Sequence, residues 1–326
     1  MKLLFSVIIA SFYGLTIRLL YGIFNAVMGI MGISFLFLLP CLIGYLTVIL
    51  LPYKEEHTAT GAFFKPWLTC GAILLITLFF NIEGMICWAM AFPLFAILAG
   101  LGGVGAFKRK RRRFRDKMEW DFEKADWEKP GSLKISFLFM LPLLAGLAEG
   151  DRTSSFQELR VEKQVEIGAS PGVVWNALLE NDQSGVKKQG ASFSSIFGFP
   201  HHLNTKVNKQ VVGGSRVATY EKGLAFMETI EKMEPGRLLV LSIKTDPSKI
   251  SKAIMDEHIV IGGKHVKLLQ DEYQLEELPN GRTRLRLSSY FSINTPFNWY
   301  AGLWSKGLMS DILQEELSSI RQISEK

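Results

Sequence analysis

An uncharged apolar run at positions 34–51, SFLFLLPCLIGYLTVILL, limits most strongly what this chain can fold into. As an α-helix, a run of this length can cross the hydrocarbon core of a bilayer, which is about 30 Å thick. Hydrophobic residues make up 48% of the chain. They crowd into the first 107 positions and into positions 133–148. We therefore expect an integral membrane protein, not a soluble protein with unusually apolar buried helices.

Further apolar segments extend this interpretation over residues 1–107, which we expect to form a transmembrane region of about four spans. The first span covers 3–20, although Arg18 lies near its end. The block 66–107 is long enough for two spans, and its polar interruption near Glu83 predicts a tight turn between them. At this bend we expect Glu83 to occupy a surface turn and not to be a functional intramembrane carboxylate.

A basic run, KRKRRRFRDK at positions 108–117, follows the last of these segments. Residues 108–131 contain ten basic and six acidic residues and hold most of the net charge of +6, whereas the C-terminal half is nearly neutral. A nucleic-acid-binding domain spreads its basic residues over a folded face, so we expect no nucleic-acid partner. Lys and Arg concentrate in cytoplasmic segments beside membrane helices. We therefore interpret 108–131 as a basic cytoplasmic linker beside anionic headgroups.

The segment 132–149 contains a second, shorter apolar run, LKISFLFMLPLLAGLA. Sixteen helical residues reach about 24 Å, slightly less than a typical bilayer core. We interpret the segment as a fifth span, and the alternative is an interfacial or re-entrant helix. If it spans the membrane, everything after Glu149 lies outside the cytoplasm.

The sequence changes character from about residue 155, where short alternating segments are separated by Gly and Pro. VEKQVEIG alternates as a half-buried strand does, and Ser170 followed by Pro171 predicts the N-cap and first turn of a short helix. Five more strands are predicted between 215 and 294, and a long helix over 297–324. Residues 155–326 are thus expected to form an α+β domain, a curved antiparallel sheet covered by a long C-terminal helix.

Three stretches of this domain resemble the SRPBCC superfamily, which includes START-like, polyketide cyclase/dehydrase and lipid-transport proteins. They are VEIGASPGVVWNALLE, METIEKMEPGRLLVLSI and FNWYAGLWSKGLMSDILQEELSSIRQISE. The resemblance covers roughly residues 158–326. It implies a helix-grip fold whose cavity, between the sheet and the last helix, holds an apolar or amphipathic ligand. It does not imply a reaction.

The chain also resembles bacterial membrane proteins in which such a domain follows several spans. This resemblance implies a protein of the bacterial inner membrane. Together with five spans, it places the C-terminal domain outside the cytoplasm. The expected partners are the lipid bilayer and a hydrophobic small molecule or lipid.

The residues singled out as candidates to line that cavity are polar or aromatic. The full set is Tyr220, Glu228, Asp256, His258, Ser289, Trp299, Tyr300 and Trp304. Asp256 and His258 suit an acid/base pair at a cavity mouth, although a solvated turn before a Gly-Gly bend explains them as well. Tyr300, Trp304 and Leu308 fall on one helical stripe that is expected to press on the sheet.

Other patterns in the sequence predict no chemistry. Arg282, Arg284 and Arg286 share one face of a strand, which we expect to face water. The pair His201-His202 lacks a third ligand at metal-binding spacing. Cys41, Cys70 and Cys87 fall in apolar segments and form no disulfide framework. We expect no metal, no cofactor and no assignable catalytic residue.

Three functions remain open on the sequence alone. The preferred one is a membrane-tethered domain that binds or transfers a lipid or similar apolar molecule. The second is an enzyme of the cyclase or hydratase type, which requires two inward titratable groups around one space. The third is a non-catalytic interaction module of the cell envelope, which an exposed apolar patch would favour.

Overall fold

The structure is a computed structural model that describes residues 2–24, 29, 32–52, 58–119, 132–149, 156–182, 192–245 and 261–326. The chain divides into two compact units. The N-terminal unit is Met1–Thr153 and the C-terminal unit is Ser154–Lys326. Apolar helices form the first unit, and a sheet with helices forms the second.

Five α-helices make up the described part of the N-terminal unit. They are α1 (Lys2–Ile23), α2 (Leu39–Ile49), α3 (Ala59–Phe79), α4 (Met85–Glu119) and α5 (Ser132–Glu149). One π-helical turn, Ser34–Leu38, leads directly into α2. It lies just before Pro40, whose nitrogen cannot donate the usual helical hydrogen bond to residue 36.

Three helices of the described residues are long and apolar enough to cross a membrane. They are Lys2–Ile23, Ala59–Phe79 and Met85–Arg112. The run expected as the clearest span is a shorter helix, Ser34–Ile49, and the expected fifth span contributes the apolar helix Phe139–Glu149. The turn predicted between two spans lies between Phe79 and Met85. The basic run is not separate from its span, because α4 continues through it to Glu119.

Consecutive helices of this unit run in opposite directions. Tyr21 near the end of α1 packs on Phe35 before α2, with 5.1 Å between ring centroids. Phe35 in turn lies 6.1 Å from Phe95 in α4, so α2 and α4 are parallel. Tyr13 packs on Phe139, with 5.3 Å between ring centroids. Because Tyr21 also donates a 2.5 Å hydrogen bond to the carbonyl of Pro142, α5 is parallel to α1.

Charged side chains from other helices satisfy both ends of α2 and its π-helical turn. Glu149 accepts backbone hydrogen bonds from Ile33 at 2.6 Å and from Ser34 at 3.0 Å. At the other end, the ammonium group of Lys110 donates to the carbonyls of Val48, at 2.5 Å, and Leu51. A carboxylate at the start and a cation at the end of a helix both favour its dipole. These contacts fix α5 and the end of α4 at opposite ends of α2.

Glu83 was expected to occupy a surface turn, and the structure shows different surroundings for its side chain. It lies in the turn after α3, but it forms an ion pair with Arg18 of α1 and its side chain is only 13% exposed. An ionised carboxylate in an apolar bundle is costly unless it is paired. The ion pair with Arg18 therefore explains why the side chain of Glu83 is largely buried.

Eight strands and three helices form the described part of the C-terminal unit. The strands are β1 (Gln157–Ile167), β2 (Asn181–Asp182), β3 (His202–Val207), β4 (Ser215–Tyr220), β5 (Ala225–Glu234), β6 (Leu238–Lys244), β7 (Val266–Glu277) and β8 (Thr283–Ile293). The helices are α6 (Pro171–Leu179), α7 (Phe193–Ile196) and α8 (Asn298–Ser324). The strands form one antiparallel sheet in the order β1-β8-β7-β6-β5-β4-β3-β2.

The predicted helix-grip arrangement is confirmed: a curved antiparallel sheet with the C-terminal helix packed on it. Helix α8 packs mainly on β1 and β8 and also contacts α6 and α7. Its buried residues Leu313, Leu317 and Ile320 join Trp175 of α6 and the inward side chains of the sheet in one apolar core. Gly302, nearer the start of α8, lies against Ile293 of β8 and Leu159 of β1.

The predicted start of α6 is confirmed, because Ser170 occupies the N-cap position with Pro171 in the first turn, although the Ser170 side chain makes no capping hydrogen bond. Trp304 of α8 packs against the region of α7, with ring centroids 6.1 Å from Phe193 and 6.0 Å from Phe197. The sequence analysis did not predict α7, a helix of four residues, or this contact.

Candidate functional site: a buried charged cluster in the C-terminal unit

The inner face of the sheet carries charged side chains at its centre. Arg216 of β4 and Glu228 of β5 are direct neighbours across the two strands. Strand alternation places Arg216 with Ala218, and Glu228 with Phe226 and Ile230, on the buried face. Arg216 is only 2% exposed and Glu228 is 6% exposed. Burial of charged residues to this degree is rare unless they are paired.

Arg216 is surrounded by carboxylates and an aromatic ring. Its Nε lies 3.2 Å from Oε2 of Glu228, and its Nη2 lies 3.7 Å from Oε1 of Glu316 in α8. Its guanidinium carbon lies 5.3 Å from the ring centroid of Tyr273. The hydroxyl of Tyr273 donates a hydrogen bond to Glu316. One buried cation on β4 is therefore held by residues from β5, β7 and α8.

A third carboxyl group, that of Asp271, belongs to the same region. Asp271 of β7 is the direct neighbour of Ser289 on β8, and the hydroxyl of Ser289 hydrogen-bonds to it. Electrostatic effects of Glu228, Glu316 and Arg216 all reach Asp271. We call Arg216, Glu228, Asp271, Tyr273 and Glu316 the Arg216 cluster.

Burial changes the proton affinity of the carboxyl groups in this cluster. Removal from water raises the pKa of Glu228 from 4.5 to about 7, although the charge of Arg216 opposes this. Burial likewise raises the pKa of Asp271 from 3.8 to about 7, against the hydrogen bond from Ser289. Two carboxyl groups that gain or lose a proton near neutral pH are unusual outside functional sites.

Burial also shifts the pKa values of the tyrosines, the histidine and the arginine in and beside the cluster. Burial raises the pKa of Tyr273 and of Tyr220 well above 10, so both hydroxyls stay protonated. Burial lowers the pKa of His202, whose Nε2 lies 2.8 Å from the hydroxyl of Thr205. For Arg216, burial opposes the charged form, but Glu228 and its other neighbours outweigh it and raise the pKa.

Several polar atoms of the cluster have no hydrogen-bond partner within the described part of the chain. They are Nε and Nη1 of Arg216, Oε2 of Glu228 and Oδ1 of Asp271. The short Nε–Oε2 contact between Arg216 and Glu228 is thus an ion pair without hydrogen-bond alignment. Buried polar atoms are nearly always paired. Two donor atoms and two acceptor atoms here lack an aligned hydrogen bond and are available to a polar partner.

Apolar side chains border the cluster on both sides along the sheet. One border is the main core, which includes Ile230. The other is a smaller cluster of Leu224, Phe226, Ile243 and Ile261, against which Tyr220 packs. Glu228 lies between Ile230 and Phe226 on β5. The site is therefore polar at its centre and apolar around it.

The structure brings together three of the candidate residues proposed from the sequence. Tyr220, Glu228 and Ser289 all lie on the inner face at or beside the Arg216 cluster. Tyr300 is half-buried, and its ring centroid lies 5.6 Å from that of Trp299, which is 65% exposed. Trp304, as described above, packs on α7. Asp256 and His258 lie outside the described residues.

Four members of the cluster were not found from the sequence: Arg216, Asp271, Tyr273 and Glu316. Strand alternation could have identified Arg216, because it lies on the same face of β4 as Ala218 and Tyr220. For Asp271 and Tyr273 the inward face is harder to predict from alternation, because an irregularity between Leu268 and Gln270 changes the register of β7. Arg282, Arg284 and Arg286 lie partly exposed on the outer face and pair with glutamates there.

The histidine pair does not act as one unit. Nδ1 of His201 lies 2.6 Å from Oε1 of Glu315, whereas His202 points to Thr205. Within the described ranges, no three His, Cys, Asp or Glu side chains are grouped so that they could hold a metal ion.

Comparison with known proteins finds similarity in structure only. No protein-family model and no curated protein matches the sequence. Similar solved structures are START-like proteins, and we describe three. Norcoclaurine synthase from Thalictrum flavum is 11% identical with a TM-score of 0.33, covering 52% of this chain and 96% of its own. A START superfamily protein from Mycobacterium smegmatis is 12% identical with a TM-score of 0.32, covering 50% and 94%. The Zhui aromatase/cyclase from a Streptomyces species is 13% identical with a TM-score of 0.32, covering 52% and 92%.

Proposed function

We propose that this protein is a membrane-anchored binding protein whose C-terminal domain holds an amphipathic small molecule or lipid at the Arg216 cluster. The observation that carries the proposal is the set of unpartnered donor and acceptor atoms at the buried centre of the inner face. A ligand with a polar end and an apolar body matches a polar centre with apolar borders. The exposed outer face, where arginines and glutamates pair with each other, offers no such contrast.

The apolar helices of the N-terminal unit support the membrane anchor. Three are long and apolar enough to span a bilayer. The shorter helix that includes α2 is buried among them, and Lys110 and Glu149 satisfy its ends. A bundle whose charged groups pair internally or lie at helix ends suits a hydrocarbon environment. We place it in the bacterial inner membrane.

The alternating helix directions support a C-terminal domain outside the cytoplasm. Lys110, at the start of the basic run, contacts the C-terminal end of α2, whereas Glu149 contacts the N-terminal side of this helix. The basic run and the end of α5 therefore lie at opposite ends of the bundle. Since basic residues beside spans mark the cytoplasmic side, the chain leaves α5 on the opposite side. A short connection to the membrane keeps the domain at high effective concentration near lipids.

The test of binding is to identify what co-purifies with the full chain. The protein is purified in detergent and extracted with organic solvent, and the extract is analysed by mass spectrometry. The Arg216→Met variant is purified in parallel, with Arg284→Met on the outer face as the matched control. A molecule present at near-stoichiometric amount in the wild type and in Arg284→Met, but depleted in Arg216→Met, supports the proposal. An extract that is the same for all three proteins contradicts it.

A second function, an acid/base enzyme of the cyclase or hydratase type, is favoured by one specific observation. Glu228 and Asp271 both have pKa values of about 7, so at neutral pH either group can donate or accept a proton. This supplies the two inward titratable groups that such an enzyme requires.

The two functions are distinguished by the fate of the molecule identified above. The full chain is incubated with it, and the products are followed by mass spectrometry. Turnover that is lost in Glu228→Gln or Asp271→Asn, while binding is retained, supports the enzyme. If wild type and both variants release the molecule without changing it chemically, the result supports binding or transfer alone.

A further inference from the structure

The charges of the Arg216 cluster indicate which ligand chemistry it suits. The cluster contains three carboxyl groups, those of Glu228, Asp271 and Glu316, around the single guanidinium of Arg216. Glu316 already accepts a hydrogen bond from Tyr273 and lies near Arg216. Among the described residues, the cluster therefore has more acidic groups than Arg216 can neutralise.

The unpartnered atoms give the same indication at the level of hydrogen bonds. Oε2 of Glu228 and Oδ1 of Asp271 are acceptors, and a ligand meets them with N–H or O–H donors. Nη1 of Arg216 is a donor, and a ligand meets it with an oxygen. A protonated amine with an oxygen on a neighbouring carbon supplies both.

A ligand carboxylate or phosphate suits the cluster less well. The unpartnered donors of the cluster within the described residues, Nε and Nη1, both belong to Arg216, and Nε already lies 3.2 Å from Oε2 of Glu228, whereas two carboxyl groups face the same region. Like charges brought together in a buried site repel strongly. An anionic head group would therefore require both Glu228 and Asp271 to stay protonated.

We propose that the Arg216 cluster recognises the polar end of an amine-bearing amphiphile. The ammonium group lies against the carboxylates of Glu228 and Asp271, and a neighbouring hydroxyl accepts from Arg216. The apolar body of the ligand packs beside Phe226 and Ile243. This assignment rests on the proposed binding function and specifies the ligand class for the same site.

Binding by this arrangement includes proton release. The ammonium group favours the ionised form of both carboxyl groups, which are partly protonated at neutral pH. Each proton that leaves passes to the buffer, and no covalent bond of the ligand is made or broken. The neighbouring Tyr220 and Tyr273 keep their protons over the range of pH 6–8, because burial raises their pKa values well above 10, and burial lowers the pKa of His202 and so favours its neutral form. Affinity for the amine should therefore increase from pH 6 to pH 8.

The experiment measures binding of matched six-carbon probes to the full chain in detergent micelles by titration calorimetry. The probes are 2-amino-1-hexanol, hexylamine, 1-hexanol and hexanoate. We expect 2-amino-1-hexanol to bind most tightly and hexylamine next, and 1-hexanol and hexanoate to bind at least tenfold more weakly. Between pH 6 and pH 8 the dissociation constant of 2-amino-1-hexanol should fall severalfold, with proton release visible in buffers of different ionisation enthalpy.

Variants test whether the amine binds at this cluster. Asp271→Asn and Glu228→Gln should each weaken binding of 2-amino-1-hexanol at least tenfold, whereas Glu276→Gln, on the exposed side of β7, should leave it unchanged. Near-ultraviolet circular dichroism checks that each variant is folded, and either cluster variant suffices if the other does not fold. Equal or tighter binding of hexanoate, absence of amine binding, or amine binding insensitive to both variants overturns the assignment. A neutral or anionic molecule that co-purifies in an Arg216-dependent way would overturn it while leaving the proposed binding function intact.

Discussion

Arg18 of α1 and Glu83, in the turn between α3 and α4, form an ion pair with 2.5 Å between Nε and Oε1. The two side chains are only 9% and 13% exposed. They belong to segments that are distant in the sequence, so the pair fixes α1 against the hairpin of α3 and α4.

Removing one member of this pair should destabilise the N-terminal unit more than removing both. Arg18→Met or Glu83→Met alone leaves a buried charge without its partner, which typically costs about 3–5 kcal/mol. The double variant leaves none and should recover much of the loss. The thermal midpoint of the full chain in micelles measures this, with the exposed Lys2→Met as control. Additive losses in the double variant would contradict a direct pairing effect.

The close contact between α2 and α4 leads to a second prediction. A Cβ added to Gly102 would lie 1.9 Å from the carbonyl oxygen of Cys41, whereas a Cβ added to Gly105 would have no heavy atom within 4 Å. Small residues permit helices to approach this closely in membranes. Gly102→Ala should therefore lower the thermal midpoint of the full chain by several degrees. Gly105→Ala should be neutral or slightly stabilising because alanine favours helix, and an equal effect of the two variants would be inconsistent with this packing.

The pKa values of Glu228 and Asp271 lead to a third prediction, on stability and pH. Both groups bind protons more tightly in the folded chain, with pKa values of about 7 in place of 4.5 and 3.8. Their contribution to stability is therefore fully present below pH 4 and is lost as the pH rises through 7. The loss is on the order of 3 kcal/mol for each group.

This loss is measured as the thermal midpoint of the full chain between pH 5 and pH 8. Wild type should lose stability over this range, whereas Glu228→Gln and Asp271→Asn should each flatten the profile. Glu276→Gln, on the outer face, should retain the wild-type profile. If the cluster variants keep the wild-type slope, the two carboxyl groups do not titrate in this window.

The sequence predicted most of the C-terminal fold because its strands alternate clearly. β5 and β8 were located from alternating residues and from the Gly and Pro turns that follow or precede them. β2 has only two residues, and β3 reads HLNTKV, in which inward Thr205 is as polar as its outward neighbours. Where the buried residues of a strand are not more hydrophobic than the exposed ones, the hydrophobic pattern does not alternate and the strand cannot be predicted from it.

The candidate site was less predictable for the same physical reason. Glu228 and Ser289 were proposed as polar strand residues that could line the cavity, whereas Arg216 was not proposed because an arginine on a strand is normally expected to face water. Arg216 is buried because strand register places Glu228 opposite it and α8 brings Glu316 within reach. Glu228 lies on the next strand of the hairpin, but Glu316 comes from a distant part of the sequence. Likewise, the apolar run at 34–51 predicted a helix but not its π-helical turn before Pro40.

The alternating helix directions lead to a last prediction, on membrane topology. Lys110 and Glu149 contact opposite ends of the helix formed by the π-helical turn and α2, so the proposed topology puts the basic run and the end of α5 on opposite sides of the membrane. A reporter fused after Glu119, within the basic region that we propose to be cytoplasmic, should be active as a cytoplasmic enzyme and inactive as an exported one. The same reporter fused after Lys326 should show the reverse. If both fusions report the cytoplasm, α5 does not cross the membrane and the domain binds its ligand from the cytoplasmic side. Neutralising the described basic residues Lys108, Arg109, Arg111 and Arg112 should weaken the orientation preference, since positive charge beside a span holds that side in the cytoplasm.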